Sequence, residues 1–475
     1  MPRLSLALLC TSIALLSIGD ATAQVTMTPL TTFGTNGWLA PGSSAYMTTG
    51  NTERGLAYNP ITGNLVLVSR AGGNNIRILN GATGLDLGGL DNTALTGGGT
   101  FAVNMAGVGD DGFIYVGNLS TSAASAFTVY AWASEATGFT TPAITAYAAP
   151  SGLARTGDAF AVIGTFPTAQ FVAAGSNNVM ASNFAVGTLD TTNTVTSYLS
   201  VPGTTAASND YRLALTWVNS STLIGAQGTT PARMTVISGP TATLAASINL
   251  GAASRRAMDY AVIGGTPVLA VIDTVSANVT VLDLTDPNNP LTLAQANTTV
   301  GTLVANGNGT GSVAWGAISG GSATLYAMSS NMGIQAFTVT LSPLGSATAI
   351  GAGCDGYSMS TTGQPVLGNA GFALNVSSPT LAVLPFAFVA WGSFSIPGGI
   401  DLTGLGMPGC FSYTSFDLGL FATAPVVGIT GTFGLPVPNT VGLAGASLAA
   451  QGVGLSLTLP AGLAVSNGSQ IVVGF

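Results

Sequence analysis

The chain has 475 residues, of which only 5% are charged; its net charge is −8, and it contains no lysine and no histidine. The missing histidine excludes Ser-His-Asp triads, Cys-His pairs and histidine metal sites, and the missing lysine excludes Schiff-base catalysis. Because so few cations could neutralise a run of phosphates, the composition also excludes a nucleic-acid partner and argues against binding to anionic membrane surfaces.

The N-terminal segment has the features of a secretory signal peptide. Arg3 precedes an apolar run from Leu4 to Ile18, and Ala21-Thr22-Ala23 provides a small-x-small cleavage site. The apolar run is too short for a spanning helix. The sequence therefore predicts a signal peptide over residues 1–23 and a secreted mature chain, located in the periplasm, at the cell surface or outside the cell, with no membrane span.

A turn followed by a short apolar strand recurs six times along the chain. The copies are TGNLVLVS (62–69), DDGFIYVGN (110–118), TAQFVAAGS (168–176), SSTLIGAQG (220–228), GTPVLAVID (265–273) and SATLYAMSS (322–330). Further strand-like runs follow most copies, so each unit is predicted to be a four-stranded antiparallel meander of about 40–55 residues, the period of a propeller blade.

The sixth unit ends after three strands, and the mature N-terminus supplies a spare one at residues 25–33. A strand from each end of the chain would close the ring and remove an open sheet edge. We therefore predict an all-β fold with a six-bladed propeller over residues 24–343. Seven blades remain the alternative, because the third and fourth copies are degenerate.

Several of these segments carry a family resemblance. RGLAYNPITGNLVLVSR (54–70), DDGFIYVGN and VTVLDLTDPNNP (279–290) resemble the repeats of secreted bacterial propeller families of unknown function, and more distantly those of NHL-type and lactonase-like propellers. This resemblance implies the fold and no particular activity. The C-terminal region, with its two Gly-Cys motifs and its SNGSQIVVGF ending, resembles a module found on secreted planctomycete proteins, for which no chemistry is implied.

The residues after the propeller predict a second β-domain. Apolar runs alternate with Gly, Pro and Ser turns, which favours a β-sandwich over residues 344–475. Cys354 and Cys410 are the two cysteines of the mature chain, and an even pair in a secreted protein predicts a disulfide. The segment LAVSNGSQIVV (463–473) predicts a hairpin that turns at Asn467-Gly468.

Four of the eight mature arginines occupy one repeat position, just before the apolar strand that begins a unit: Arg54, Arg155, Arg212 and Arg256. First strands line the channel of a propeller, so these side chains are expected at one channel rim. A carboxylate lies near each in sequence: Glu53, Asp158, Asp210 and Asp259. One interpretation is structural ion pairs between blades; the other is a ligand site for a carboxylate, a sulfate or an acidic sugar.

Two acidic turns, GDDG (109–112) and DLTDPNNP (283–290), offer oxygen ligands without the spacing of a calcium loop, and we interpret them as turn caps. No catalytic residue is assigned and no cofactor is predicted, with calcium left open. The predicted function is non-catalytic binding or scaffolding at the cell surface or outside the cell, with a small anion, a glycan or a protein as partner. The alternatives are a calcium-dependent hydrolase or lactonase-like enzyme and a self-assembling envelope protein.

Overall fold

A computed structural model describes residues 24–175, 184–198, 201–202, 210–228, 231–251, 255–342, 345–379, 387–423, 428–440 and 443–475. The predicted signal peptide lies outside this part of the chain. Two compact units are present, Val25–Thr340 and Leu341–Phe475. The protein is all-β: in the described residues, helix is limited to α1 (Glu135–Gly138) and a 3-10 turn at Thr403–Leu405. None of the described helices is long and apolar enough to cross a membrane.

The described residues of the first unit form six sheets. Two short strands, β1 (Gln24–Pro29) and β2 (Trp38–Leu39), precede the repeats. Sheet 1 contains β3 (Glu53–Tyr58), β4 (Asn64–Ser69), β5 (Asn75–Asn80) and β6 (Asp86–Gly89). Sheet 2 contains β7 (Phe101–Val108), β8 (Ile114–Leu119), β9 (Ala126–Trp132) and β10 (Ile144–Pro150). Sheet 3 contains β11 (Thr156–Ile163), β12 (Gln170–Gly175), β13 (Phe184–Thr188) and β14 (Val195–Tyr198).

The remaining sheets of this unit repeat the pattern. Sheet 4 contains β15 (Ala214–Asn219), β16 (Thr222–Ala226), β17 (Ala232–Ser238) and β18 (Thr241–Ile248). Sheet 5 contains β19 (Arg255–Ile263), β20 (Thr266–Asp273), β21 (Val279–Asp283) and β22 (Leu291–Ala296). Sheet 6 contains β23 (Gly311–Ser319), β24 (Ser322–Ser329) and β25 (Ile334–Ser342), with β1 and β2 both pairing with β25.

The six copies read from the sequence coincide with the second strands β4, β8, β12, β16, β20 and β24. The spare N-terminal strand lies beside the last strand of sheet 6, as predicted. The first strands contact one another in cyclic order, β3 to β7, β11, β15, β19, β23 and back to β3. The unit is therefore propeller-like, with its first strands innermost.

The core lies between neighbouring sheets. Because successive side chains of a strand point to opposite faces, one strand serves two interfaces. In β4, Val66 joins a buried cluster with Val116 of sheet 2, whereas Leu65 joins a cluster with Met328 of sheet 6. Burial of each such side chain contributes about 1.5–3 kcal/mol relative to exposure, so the alternation in the repeat is what joins the sheets.

The second unit has three sheets. Sheet 7 contains β26 (Ser346–Ile350), β29 (Phe388–Gly392), β32 (Gly419–Ala422), β34 (Ser447–Leu455) and β35 (Leu463–Val472). Sheet 8 contains β27 (Ser358–Thr362), β28 (Ala373–Ser377) and β33 (Thr430–Gly434). Sheet 9 contains β30 (Ser395–Asp401) and β31 (Phe411–Thr414). The predicted disulfide is present: Cys354 and Cys410 are bonded, with their Cα atoms 5.1 Å apart.

The hairpin predicted at Asn467-Gly468 was wrong. Residues 463–472 form one strand, β35, and the register against β34 shifts between Gln451 and Val453, so the Asn-Gly pair lies at a β-bulge. Asn467 is held there by its side-chain amide, whose Oδ1 accepts from Met359 N at 2.8 Å and whose Nδ2 donates to Met359 O at 3.1 Å. Both hydrogen bonds fix Asn467 against Met359 of β27, and the chain continues through Asn467 as part of β35.

Candidate functional site

Bulges recur at the beginning of the innermost strands. The register shifts between Glu53 and Gly55 in β3, between Phe101 and Met105 in β7, between Thr156 and Ala159 in β11 and between Arg255 and Met258 in β19. A bulge bends the strand and re-aims the side chain at the extra residue. Arg54, Asp158 and Arg256 occupy three of these bulges, so their side chains depart from the regular in–out alternation.

An apolar constriction follows directly after the bulges. All six innermost strands line a cavity of about 40 Å³, with Leu56, Met105, Phe160, Leu215, Met258 and Val313 among its walls. Arg212 immediately precedes lining residue Leu213, and Arg256 immediately precedes lining residue Ala257. The four predicted arginines therefore lie at the same end of the innermost strands. We call them, together with Arg70, the arginine mouth.

On one side of the mouth, two arginines share a single carboxylate. Asp158 accepts from Arg155, through both Nε and Nη2, and from Arg212 Nε at 2.9 Å. Its side chain is only 4% exposed. The hydrogen bond to Asp158 raises the pKa of Arg155 above its ordinary value. Asp158 thus bridges sheets 3 and 4.

The other side lacks such a partner. Arg54 and Arg256 have no carboxylate within ion-pair distance among the described residues, and the internal segments outside them contain no Asp or Glu. The Nε atoms of both are buried without a hydrogen-bond partner in the described structure. Burial lowers the pKa of Arg54, with Asp158 opposing this effect and Arg155 adding to it.

Two of the other carboxylates named from the sequence have different roles. Glu53 Oε1 accepts from Thr48 N at 2.6 Å and Thr52 Oγ1 at 3.1 Å, within its own turn. Asp210 pairs with Arg233 at 3.3 Å, and both side chains are buried. The ion-pair interpretation therefore holds for Arg155 and Arg212, which share Asp158, and of these two pairs only the one with Arg212 joins two sheets.

Asp259 is the fourth carboxylate, and it joins three innermost strands. It accepts from Thr216 Oγ1 at 2.8 Å in β15, from Tyr260 N at 2.9 Å in β19 and from Trp315 N at 2.8 Å in β23. Burial raises its pKa to about 6. The Asp259 carboxylate accepts hydrogen bonds from three uncharged groups, and it forms no ion pair with Arg256.

Arg256 lies in a slot made by glycines of both neighbouring sheets. A Cβ added at Gly228 (φ +120°) would lie 2.4 Å from its Nε, and one at Gly309 (φ +62°) would fall on its guanidinium. Its pKa is lowered by burial and by the charge of Arg212, with Asp273 acting in the opposite direction. The Arg256 side chain is therefore held by close packing against these two glycines, without an ion pair among the described residues.

A pocket of about 550 Å³ lies on the unpaired side of the mouth. Its walls are Gly50, Asn51, Thr52, Arg54, Arg70, Gly73, Asn74, Phe101, Ala102 and Asn308. The guanidinium carbon of Arg70 lies 3.5 Å from the ring centroid of Phe101, and its Nη2 donates to Asn51 O at 3.5 Å. Burial and the charge of Arg54 lower the pKa of Arg70 to about 10, with Glu53 acting in the opposite direction, so the Arg70 guanidinium is charged at neutral pH.

Sequence reasoning missed Arg70 and Phe101. Arg70 directly follows β4, and the β3–β4 register, which opposes Glu53 to Ser69, places it beside the turn that precedes Arg54. Hairpin register was the available signal. Phe101 begins β7, and an aromatic residue at the start of a strand gives no comparable signal.

The acidic turns act as caps. Asp111 Oδ1 accepts from Phe113 N at 3.2 Å, and Asp283 Oδ1 accepts from Thr285 N at 2.7 Å. In the part of the chain that the structure describes, no group of three or more His, Cys, Asp or Glu residues could hold a metal ion.

The fold defines the class: an all-β, propeller-like protein with a second β unit. Among solved structures, the chain is similar to a DUF4623 family protein from Bacteroides eggerthii, at 15% identity and a TM-score of 0.47, over 67% of this chain and 76% of that one. It is also similar to regucalcin, a calcium-binding protein from Agrobacterium tumefaciens, at 10% identity and a TM-score of 0.40, over 64% and 94%. At such values the likeness assigns no activity. No protein-family model and no curated protein matches the chain.

Proposed function

We propose that this chain is a secreted, non-catalytic binding protein that holds an anionic ligand at the arginine mouth of a six-bladed propeller. One observation carries the proposal: two guanidiniums without a carboxylate partner among the described residues, Arg54 and Arg70, line one pocket of about 550 Å³.

Charge distribution supports an anion as the ligand. The chain has a net charge of −8, yet five of its nine cations gather at the mouth. Arg54 lowers the pKa of Arg70, because one cation disfavours the charged form of another beside it. A bound anion would relieve that repulsion and satisfy the planar donor fork of each arginine. A concave site lined by one sign of charge also attracts its ligand over a longer range.

The lining supports binding over catalysis. The residues that the structure places around the pocket are glycines, neutral amides, a hydroxyl, two arginines, an alanine and a phenylalanine. General acid–base catalysis needs a group that exchanges a proton near neutral pH, and this lining offers none. It likewise lacks the carboxylate oxygens that a calcium-dependent hydrolase would use.

The architecture and location in the proposal have their own support. The cyclic contacts of the innermost strands favour six blades over seven. A sandwich in the second unit is favoured by Trp391 of sheet 7 and Phe433 of sheet 8, whose ring centroids lie 5.7 Å apart. The disulfide is typical of an oxidising compartment, in keeping with the signal-peptide pattern.

The test is to titrate the mature protein with sulfate and with citrate in chloride buffer and to measure binding by calorimetry. Arg54→Gln and Arg70→Gln should each weaken binding by about tenfold or more, since a hydrogen bond to a charged group contributes about 1.5–3 kcal/mol. Arg77→Gln is the matched control, because Arg77 is paired with Asp86 in sheet 1 outside the pocket. Equal loss in all three variants, or no binding of either anion, would remove the proposal.

A further inference from the structure

Besides two arginines, the pocket at the arginine mouth is lined by side-chain amides, a hydroxyl and an aromatic ring, which a simple inorganic anion would not use. We propose that its ligand is an acidic sugar, bound with its carboxylate on Arg54 and Arg70 and its hydroxyls on the surrounding amides. This inference rests on the proposed function and specifies its ligand class.

Size is the first argument. A volume of about 550 Å³ falls within the range of about 300–1,000 Å³ that is usual for sites of organic ligands. A sulfate or phosphate ion would leave most of it filled with water. A pyranose ring with a carboxyl substituent can contact the guanidiniums and the opposite wall together.

The distribution of charge along the wall is the second argument. Positive charge is confined to the two arginines, while the rest of the lining is neutral. A ligand with several phosphates or sulfates would place anionic groups against uncharged walls and lose their hydration without compensation. One carboxylate on an otherwise uncharged ligand matches the two guanidiniums.

The amides are the third argument. Asn74 and Asn308 line the pocket, and their side chains make no hydrogen bond within the described residues. Asn51 Oδ1 is buried and lacks a donor, which carries a desolvation cost that a turn of the amide toward a ligand hydroxyl would relieve. A side-chain amide both donates and accepts, as a sugar hydroxyl does. An ionised inorganic oxyanion only accepts, so it would leave the amide oxygens unused.

The aromatic ring is the fourth argument. Phe101 is 39% exposed at the pocket wall. Arg70 lies against this ring, which fixes the direction of the guanidinium beside an apolar surface. The C–H groups of a pyranose can pack on the ring surface that Arg70 leaves open while the carboxylate reaches Arg70 and Arg54. The pocket therefore presents a charged group and an apolar surface next to each other.

The experiment compares three probes on the mature protein by calorimetry in chloride buffer: D-glucuronate, D-glucose and sulfate. Glucuronate should bind at least about tenfold more tightly than either sulfate or glucose, since it alone uses both the guanidiniums and the amides. Asn308→Ala should weaken glucuronate binding severalfold and leave sulfate binding unchanged, whereas Phe101→Leu should weaken glucuronate binding more than sulfate binding. Arg77→Gln should change neither, and melting temperatures check that each variant is folded.

One of the alternative outcomes overturns the acidic sugar alone, and two overturn both proposals. Equal affinity for sulfate and glucuronate, with no effect of Asn308→Ala or Phe101→Leu, would overturn the acidic sugar and leave the anion site standing. Glucose binding as tightly as glucuronate would overturn both, because charge would then contribute nothing. Absence of binding by all three probes would also overturn both.

Discussion

The two sides of the arginine mouth differ in how the same residue type is used. Arg155 and Arg212 share the buried carboxylate of Asp158 and connect two sheets. Arg54 and Arg70 line an open pocket and have no such partner within the described residues. One repeat position therefore serves as a structural clamp on one side, whereas on the other side it carries Arg54, which has no carboxylate partner among the described residues. The difference is decided by which bulge carries an acid: Asp158 lies in the bulge of β11, whereas the bulge of β3 carries Arg54 itself.

Asp158→Asn should produce the largest effect, because it leaves two guanidiniums facing each other across a buried amide. The loss in unfolding free energy should be about 3 kcal/mol, as for removal of one partner from a buried pair. Chemical denaturation measures it. Asp86→Asn, which breaks the more exposed pair with Arg77, is the control and should cost about 0–1 kcal/mol. A loss no larger than in the control would mean that the paired side is not a clamp.

Asp259 should give a pH dependence of the opposite sense to a paired carboxylate. Its pKa of about 6 in the folded protein is raised above the ordinary value of 3.8, so the folded state binds a proton more tightly than the unfolded one. This contribution to stability is fully present below pH 3.8 and is lost as the pH rises through 6; it amounts to about 2–3 kcal/mol. Unfolding of wild type and Asp259→Asn at pH 4.5 and 7.5 measures it. A variant with an unchanged pH dependence would contradict the raised pKa.

Arg155→Gln and Arg54→Gln should differ in stability although both remove one mouth guanidinium. The first loses hydrogen bonds to a carboxylate and should cost about 1–2 kcal/mol. The second removes a buried charge without an ion pair and should lie within about 0.5 kcal/mol of wild type. Thermal unfolding in chloride buffer without added anions compares the two. Equal destabilisation would show that Arg54 is as fully partnered as Arg155.

Phe101→Leu should have a small effect on stability in the absence of ligand. The cation–π contact with Arg70 is partly exposed, and such contacts contribute about 0.5–1 kcal/mol. A double-mutant cycle with Arg70→Gln isolates the coupling. A coupling of zero would mean that Phe101 does not orient the Arg70 guanidinium.

Much of the fold could be predicted because each repeat is recognisable locally, as a turn followed by a short apolar strand. The second strand of each sheet, the closing strand β1 and the bond between Cys354 and Cys410 all follow from patterns in the sequence. The partners of the mouth residues do not. Ion pairing depends on bulges that shift register by a residue or more, and no periodicity in the sequence marks a bulge. The wrong hairpin at Asn467 has the same cause, because the Asn-Gly pair that is typical of a turn lies at a β-bulge inside β35.

Ring closure by β1 constrains the order of events during synthesis. The strand at residues 24–29 is made first among the described strands, yet its partner β25 ends at Ser342. The nascent propeller therefore waits for about 300 residues of translation before its last sheet can be completed. Until then the edge of β1 is unpaired and exposed to other chains. A circularly permuted chain that begins at β3 and carries residues 24–39 after Ser342 is synthesised with β1 after its partner, so it should aggregate less than the natural order during cell-free synthesis.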